Sequence, residues 1–199
     1  MDFNDTPDEA TFRAEANSWL CEHATPLGAG EAGRNALSET NLGEADITEA
    51  KSWQKTKADA GWACLTWPKE YGGRDASLIE QLIYFEEIAK ANAPYVGVNF
   101  VGQLHAGPTL IAEATDDQRS THLAPILKGE HVWCQGFSEP GSGSDLASLS
   151  TRAVDDGDHY VMSGSKMFIT NGRHGDLYGV VCKTNADAEP AYKGISLIL

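Results

Sequence analysis

Apolar residues recur at helical spacing through the first two thirds of the chain and at short, strand-like spacing after it. Phe12, Ala16, Trp19 and Leu20 share one helical face. Thr6-Pro7-Asp8-Glu9 opens that helix, with Thr6 as N-cap, Pro7 at the first helical position and Glu9 completing a capping box. Its expected role is core packing. Ala24 to Asp46 holds four glycines, shows little periodicity and reads as a mobile loop. Asp46 and Glu49 form the next capping pair, for a helix that runs to about Ala60 and is stopped by Gly61. Trp62, Trp67 and Tyr71 follow in an irregular stretch, where packing under a loop is favoured over lining a pocket. Ser77 and Glu80 cap a helix on which Leu78, Leu82, Phe85 and Ala89 recur, and Pro94 ends it. Tyr95 to Leu104 is apolar and short of charge, a buried helix or strand, and a helix agrees better with its neighbours. Gly107-Pro108 restarts a short helix through Ala114. Thr115 with Gln118 opens another, ending near Gly129.

After Gly129 the pattern changes. His131 to Ser138, Ser150 to Asp155, His159 to Met162, Lys166 to Thr170, Leu177 to Lys183 and Ile195 to Leu199 read as short strands. Asp155-Asp156-Gly157-Asp158 supplies a tight hairpin turn. A helical run followed by a strand run predicts an α+β fold. Residues 1–130 form an N-terminal all-α domain, and residues 131–199 form antiparallel strands of a partial β-barrel. The sequence stops on the apolar strand Gly194-Ile-Ser-Leu-Ile-Leu199; a bare apolar strand invites edge pairing, so the expectation is of a truncated domain.

Composition narrows the class. Hydrophobic residues are 41% and charged residues 22% of 199, ordinary for a chain that buries a core. A net charge of −14 argues against nucleic acid or an anionic membrane as partner. The four cysteines, at 21, 64, 134 and 182, contain no C-x-x-C, so no zinc site or redox pair is suggested and a reducing, cytoplasmic setting is expected. The six histidines include no H-E-x-x-H, and no metal site is expected. No signal-peptide pattern opens the sequence, and no run approaches the ~20 apolar residues of a membrane span.

The chemistry concentrates in Trp133 to Asp145, WCQGFSEPGSGSD. A strand begins it, and Pro140 stops the strand because it cannot donate to a ladder. Two glycines among small hydroxyl residues then allow close backbone approach to a ligand, with N–H groups aimed at an anion or carbonyl oxygen. A strand ending in a plain loop accounts for the composition equally well. Position 146 is Leu, so no G-x-G-x-x-G fingerprint is present; no Gly-Lys-Ser/Thr ends a P-loop, and neither Ser142 nor Ser144 fits G-x-S-x-G. Hydroxyls at Ser138, Ser142, Ser144 and Thr170, the Phe168 ring, and open backbone at Gly136, Gly141 and Gly143 together suit a flat polar heterocycle.

Three motifs give this a family. Ser138-Glu-Pro-Gly-Ser-Gly-Ser-Asp145, Gly157-Asp-His-Tyr160 and Ser163-Gly-Ser-Lys-Met-Phe-Ile-Thr-Asn171 together resemble the middle domain of the acyl-CoA dehydrogenase flavoproteins. Upstream, Gly61-Trp62 and Trp67-Pro68-Lys-Glu-Tyr-Gly-Gly73 resemble a loop of that family's helical domain. The resemblance runs from roughly Ile47 to Leu199.

The resemblance implies FAD, with Gln135, Gly136, Phe137, Ser138, Gly143 and Ser144 as one cofactor-binding segment and Phe168, Ile169 and Thr170 as the other. Ser138 stands where the family has Thr and keeps a hydroxyl donor; Phe168 stands for Trp and keeps the ring face without the indole N–H. Ser144 matches a residue that contacts acyl-CoA. The implied reaction is α,β-desaturation of an acyl-CoA thioester with hydride transfer to the flavin. Implied partners are an electron-transfer flavoprotein-like acceptor and further subunits, identical or not. The family's base is a Glu of a C-terminal helical bundle, which lies outside these residues, so no catalytic residue is assigned and the 199-residue chain alone is expected to be inactive. Glu139 matches a position that is not the base. A nitroalkane oxidase- or flavin hydroxylase-type reaction on the same scaffold, and a folded module without catalysis, are the alternatives.

Overall fold

A computed structural model describes residues 4–27, 43–94 and 97–199. The chain divides into two compact units, Met1–Glu130 and His131–Leu199. Most of the loop expected between Ala24 and Asp46, and the start of the Tyr95–Leu104 segment, lie outside the described residues.

The first unit is helical: α1 (Pro7–His23), α2 (Glu44–Asp59), α3 (Leu78–Lys90), α4 (Gly107–Glu113) and α5 (Asp116–Lys128). The Thr6–Glu9, Ser77–Glu80 and Thr115–Gln118 capping boxes all form, each satisfying two backbone N–H groups that a helix start leaves unpaired. The Asp46–Glu49 pair does not form. Helix α2 starts earlier, at Glu44, and Asp46 instead accepts a hydrogen bond from Gly43 N–H at 2.8 Å. The segment before α4 is helical, as its neighbours suggested, and passes through a π-turn over Gly102–Ala106.

Phe12, Ala16 and Leu20 of α1 pack with Trp62, Leu65, Ile83, Tyr84 and Ile88 to make the core of this unit. Trp62 stacks with the Tyr84 ring at 5.2 Å, and the Arg74 guanidinium lies over its ring at 3.7 Å. Trp62 and Trp67 are therefore packing residues. The Trp67 indole donates to Gln103 O at 3.2 Å, and the bare Gly107 backbone closes over its ring. On α3 the helical spacing at Leu78, Leu82 and Phe85 marks the outer side; Leu78 is 79% exposed, and the buried side is Ile83, Tyr84, Glu87 and Ile88. Glu87 is buried because Arg13, Asn17 and Lys90 all donate to its carboxylate.

The second unit is a five-stranded sheet with β1 (Trp133–Gly136), β2 (Arg152–Asp155), β3 (Tyr160–Ser163), β4 (Leu177–Lys183) and β5 (Ile195–Ile198), in the order β1-β4-β2-β3 with β5 also on β4. The expected order of a helical unit and then a sheet unit holds, but the sheet is mixed and open, which corrects the antiparallel pairing expected throughout the partial barrel. The hairpin β2–β3 and the pair β4–β5 are antiparallel, but β1–β4 and β2–β4 are parallel. The reason lies in the connections. Residues 137–176 separate β1 from β4, long enough to carry the chain back and start a strand in the same direction. The β2–β3 turn is the expected one, with Asp156 N–H donating to His159 O at 2.9 Å and Gly157 at φ 89°.

One predicted strand is absent. Lys166–Thr170 forms no strand, because Phe168 and Asn171 adopt left-handed φ values of 56° and 62°, which break the pleat. The segment nevertheless runs antiparallel alongside β1 and its extension. Met167 N–H donates to Ser138 O at 2.9 Å, Cys134 Sγ–H to Asn171 O at 3.1 Å, and Asn171 Nδ2 to Trp133 O at 3.2 Å.

Candidate cofactor site

The two segments singled out by sequence lie side by side at the end of β1. Gln135 and Gly136 are the last residues of β1; Gly136 is pressed against β4, where an added Cβ would lie 3.3 Å from Val180 Cγ2. Phe137 and Ser138 continue the strand direction and are half-buried. The chain then folds back on itself. Glu139 N–H donates to Ser142 O at 2.7 Å and Ser142 N–H to Glu139 O at 3.1 Å. Gly141, Gly143 and Ser144 stand on the exposed outer part of this turn, and a Cβ at either glycine would meet nothing within 4 Å. From the other side come Phe168, 88% exposed, Ile169, half-buried, and Thr170, exposed.

What holds the segments together is the pair Glu139–Lys166. The Glu139 side chain is 3% exposed and that of Lys166 13%. Glu139 Oε2 accepts from Ser150 N–H and Ser150 Oγ, both at 2.7 Å. Oε1 accepts from Thr151 N–H at 2.9 Å and from Lys166 Nζ at 2.8 Å. Burial pushes the Glu139 carboxyl up, but the hydrogen bonds from Lys166, Thr151 and Ser150 outweigh it and hold the group far below the usual carboxylate range. A carboxylate so engaged has no free lone pair for a substrate proton, so Glu139 is a clamp and not a base. Lys166 also donates to Phe137 O at 2.9 Å. Sequence reasoning assigned neither residue to this clamp. The signal was a lysine set in the otherwise apolar and hydroxylic run SKMFIT, opposite a Glu-Pro that ends a buried strand.

With those bonds made, unpartnered donors remain on both segments. The N–H and Oγ of Ser138, the N–H groups of Phe168, Ile169 and Thr170, and the Thr170 hydroxyl have no partner among the described residues. They stand beside an aromatic ring held outward by a left-handed backbone, a conformation that costs a bulky residue about 1–3 kcal/mol and persists where surroundings fix it. Gln135 belongs to β1, in register with Gly179 of β4.

The architecture is a helical unit followed by a mixed-sheet unit, whose first strand leads into an edge lined by hydroxyl and N–H groups. Residues 6–130 match the acyl-CoA dehydrogenase N-terminal domain and residues 134–199 the middle domain. The chain belongs to the acyl-CoA dehydrogenase family. It is similar to the acyl-CoA dehydrogenase IpdE1 of Mycobacterium tuberculosis, at 37% identity over 96% of this chain and 49% of that protein. Among solved structures it is similar to the Tcur3481-Tcur3483 steroid acyl-CoA dehydrogenase, at 36% identity and a TM-score of 0.78 over 100% of this chain and 48% of that one. It also resembles a chain of the ChsE4-ChsE5 complex from Mycobacterium tuberculosis, at 36% identity and a TM-score of 0.76, covering 100% of this chain and 47% of that one. The chain thus spans about half the length of these relatives.

The family's cofactor is FAD. Its isoalloxazine is a flat ring system with acceptors along one edge, and the unpartnered N–H and hydroxyl donors of Ser138 and residues 168–170, with the outward Phe168 ring, fit such a group. No helix among the described residues is long and apolar enough to cross a membrane.

Proposed function

We propose that this protein acts as an FAD-dependent acyl-CoA dehydrogenase, forming an α,β double bond in an acyl-CoA thioester. FAD, when bound, would supply the acceptor for the β-hydrogen and the electron pair of its C–H bond. Ser138 would hold the ring edge through its N–H and hydroxyl, Phe168 would offer its ring to the flavin, and Ile169 and Thr170 would add backbone N–H groups. Gly143, where an added Cβ would meet nothing within 4 Å, and the exposed Ser144 beside it would face the acyl-CoA. Gln135 and Gly136 set the strand that carries Ser138. The α-proton goes to a base other than Glu139, whose lone pairs are occupied. The identity of 36% with a steroid enzyme over the whole chain, against 31% with a short-chain-specific acyl-CoA dehydrogenase of Clostridium acetobutylicum, favours a bulky, steroid-like acyl group. Heteromeric assembly, as in the ChsE4-ChsE5 complex, and an electron-transfer flavoprotein-like acceptor complete the reading. Four free, well-separated cysteines suit a reducing, cytoplasmic setting.

The observation that carries the proposal is the unpartnered N–H and hydroxyl of Ser138, held beside the outward Phe168 ring in a chain of this family. Anaerobic mixing of FAD-loaded, full-length protein with a panel of acyl-CoAs, steroid-derived and straight-chain, tests it. The expected result is bleaching of the flavin absorbance, fastest with the steroid-derived thioester. Absence of bleaching with every acyl-CoA would refute the reaction. Ser138→Ala removes one donor and is expected to weaken FAD binding or slow reduction by up to about tenfold, the scale of one hydrogen bond.

A further inference from the structure

A trans peptide unit is planar, and its C=O and N–H point in opposite directions. The peptide between Phe137 and Ser138 therefore has two ends with different fates. Its carbonyl, Phe137 O, is gripped by Lys166 Nζ at 2.9 Å. Its N–H, that of Ser138, has no partner among the described residues. The next peptide is pinned at both ends: Ser138 O accepts from Met167 N–H at 2.9 Å, and Glu139 N–H donates to Ser142 O at 2.7 Å. The first peptide has no second anchor at its N–H end. A rotation of that one plane would turn a carbonyl oxygen toward the ring edge where a donor is needed.

We infer that Lys166 is a positioning residue that locks the Phe137–Ser138 peptide with its N–H toward the flavin edge. The inference rests on the flavin reading above. Glu139 makes the lock directional. Its carboxylate, fixed by Ser150 and Thr151 of the strand-β2 approach, holds the ammonium at 2.8 Å and so sets where the Phe137 carbonyl must lie. A cation on the carbonyl also polarises the peptide and strengthens its N–H as a donor. Both printed bonds of the Lys166 ammonium go to the protein, to Phe137 O and Glu139 Oε1, so it acts through the peptide. A salt bridge serving stability alone would need only Glu139. The third partner, the Phe137 carbonyl, sits on the very peptide that carries the free donor.

The test is FAD reconstitution of the full-length protein and of the variants Lys166→Met, Lys166→Arg and Ser138→Ala. FAD affinity is read from flavin fluorescence, and the bound-flavin reduction potential from anaerobic dye titration. Both are scored on protein that circular dichroism shows to be folded. Losing an oriented donor at the ring edge removes a group that favours added electron density. Lys166→Met is therefore expected to weaken FAD about tenfold and to move the potential to more negative values. Lys166→Arg, which keeps a cation within reach of both oxygens, is expected to stay within about threefold of wild type. If Lys166→Met does not fold, Lys166→Met/Glu139→Gln, which leaves neither charge of the pair behind, carries the same comparison. Wild-type affinity and potential in folded Lys166→Met, or in the double variant, would overturn the inference while leaving the flavin reading intact. Failure of the wild-type protein to take up FAD would overturn both.

Discussion

Replacing Glu139 by Gln changes one oxygen to a nitrogen and hardly alters volume. In the native protein four donors converge on the carboxylate: Ser150 N–H and Oγ at 2.7 Å each, Thr151 N–H at 2.9 Å and Lys166 Nζ at 2.8 Å. An amide offers a single acceptor oxygen. If that oxygen faces Thr151 and Lys166, the amide NH2 meets Ser150 N–H head-on, although the Ser150 hydroxyl can turn to accept. In the other orientation the NH2 meets the Lys166 ammonium. Either way a buried donor is stranded and the lysine loses its counter-ion. Breaking one side of a buried ion pair costs about 3–5 kcal/mol, and the residual exposure of Lys166 places the expectation near the lower end, about 3 kcal/mol. Urea denaturation followed by circular dichroism measures it; a loss below about 1 kcal/mol would refute the clamp. The pH dependence has a definite sign. The folded-state carboxyl lies below its unfolded value of about 4.3, so the unfolded chain binds more protons in that interval. The stability contributed by Glu139 is fully present above the unfolded value and is lost as pH falls through the folded one. The gap between wild type and Glu139→Gln must therefore narrow below about pH 4.3; a gap constant with pH would show that the charge is not its origin.

Phe168→Leu should disturb the bound-flavin spectrum and FAD content more than Phe168→Trp, because only the second keeps a ring face; equal spectra in both would remove Phe168 from the site. Gly107→Ala should destabilise the helical unit by about 1–3 kcal/mol in a denaturation experiment, since the new methyl would lie 2.0 Å from Trp67 Cζ2. Burial lowers the Lys57 pKa to about 8, against about 10.4 unfolded, while the nearby Cys64 opposes the shift. The unfolded chain then binds more protons between those values, so the Lys57 contribution to stability rises with pH there. The stability of wild type relative to Lys57→Met should increase across that window, and a flat difference would contradict the shift.

Much of the helical unit was legible because its signals are local. Thr6–Glu9, Ser77–Glu80 and Thr115–Gln118 each need only residues three apart, and all three boxes form. Asp46–Glu49 satisfied the same pattern and failed, because Asp46 was already taken by Gly43 N–H. Local rules also named α3 without saying which side is buried. Leu78 and Leu82 carry the period yet lie exposed, whereas Glu87 is buried since Arg13, Asn17 and Lys90 meet it there. Arg13 and Asn17 are distant in sequence, and no period encodes them.

The sheet shows the same limit and gives it a functional edge. Hairpin signals at Asp155–Asp158 predict β2–β3, which forms, but such signals say nothing of the pairing elsewhere in the unit. Strand β4 instead meets β1 in parallel across a connection of residues 137–176, and nothing local announces that direction. Within that connection, Lys166–Thr170 has the β-branched and aromatic content of a strand, but Phe168 leaves the pleat with φ 56°. That departure turns the Phe168 ring outward, while Met167 N–H and Lys166 Nζ remain directed at Ser138 O and Phe137 O. A regular strand continuing from Met167 would have spent alternate N–H groups, that of Ile169 among them, on the ladder. By breaking the strand, the chain keeps these donors free beside Ser138, so the place where propensity is overridden is the place where the proposed flavin contacts lie.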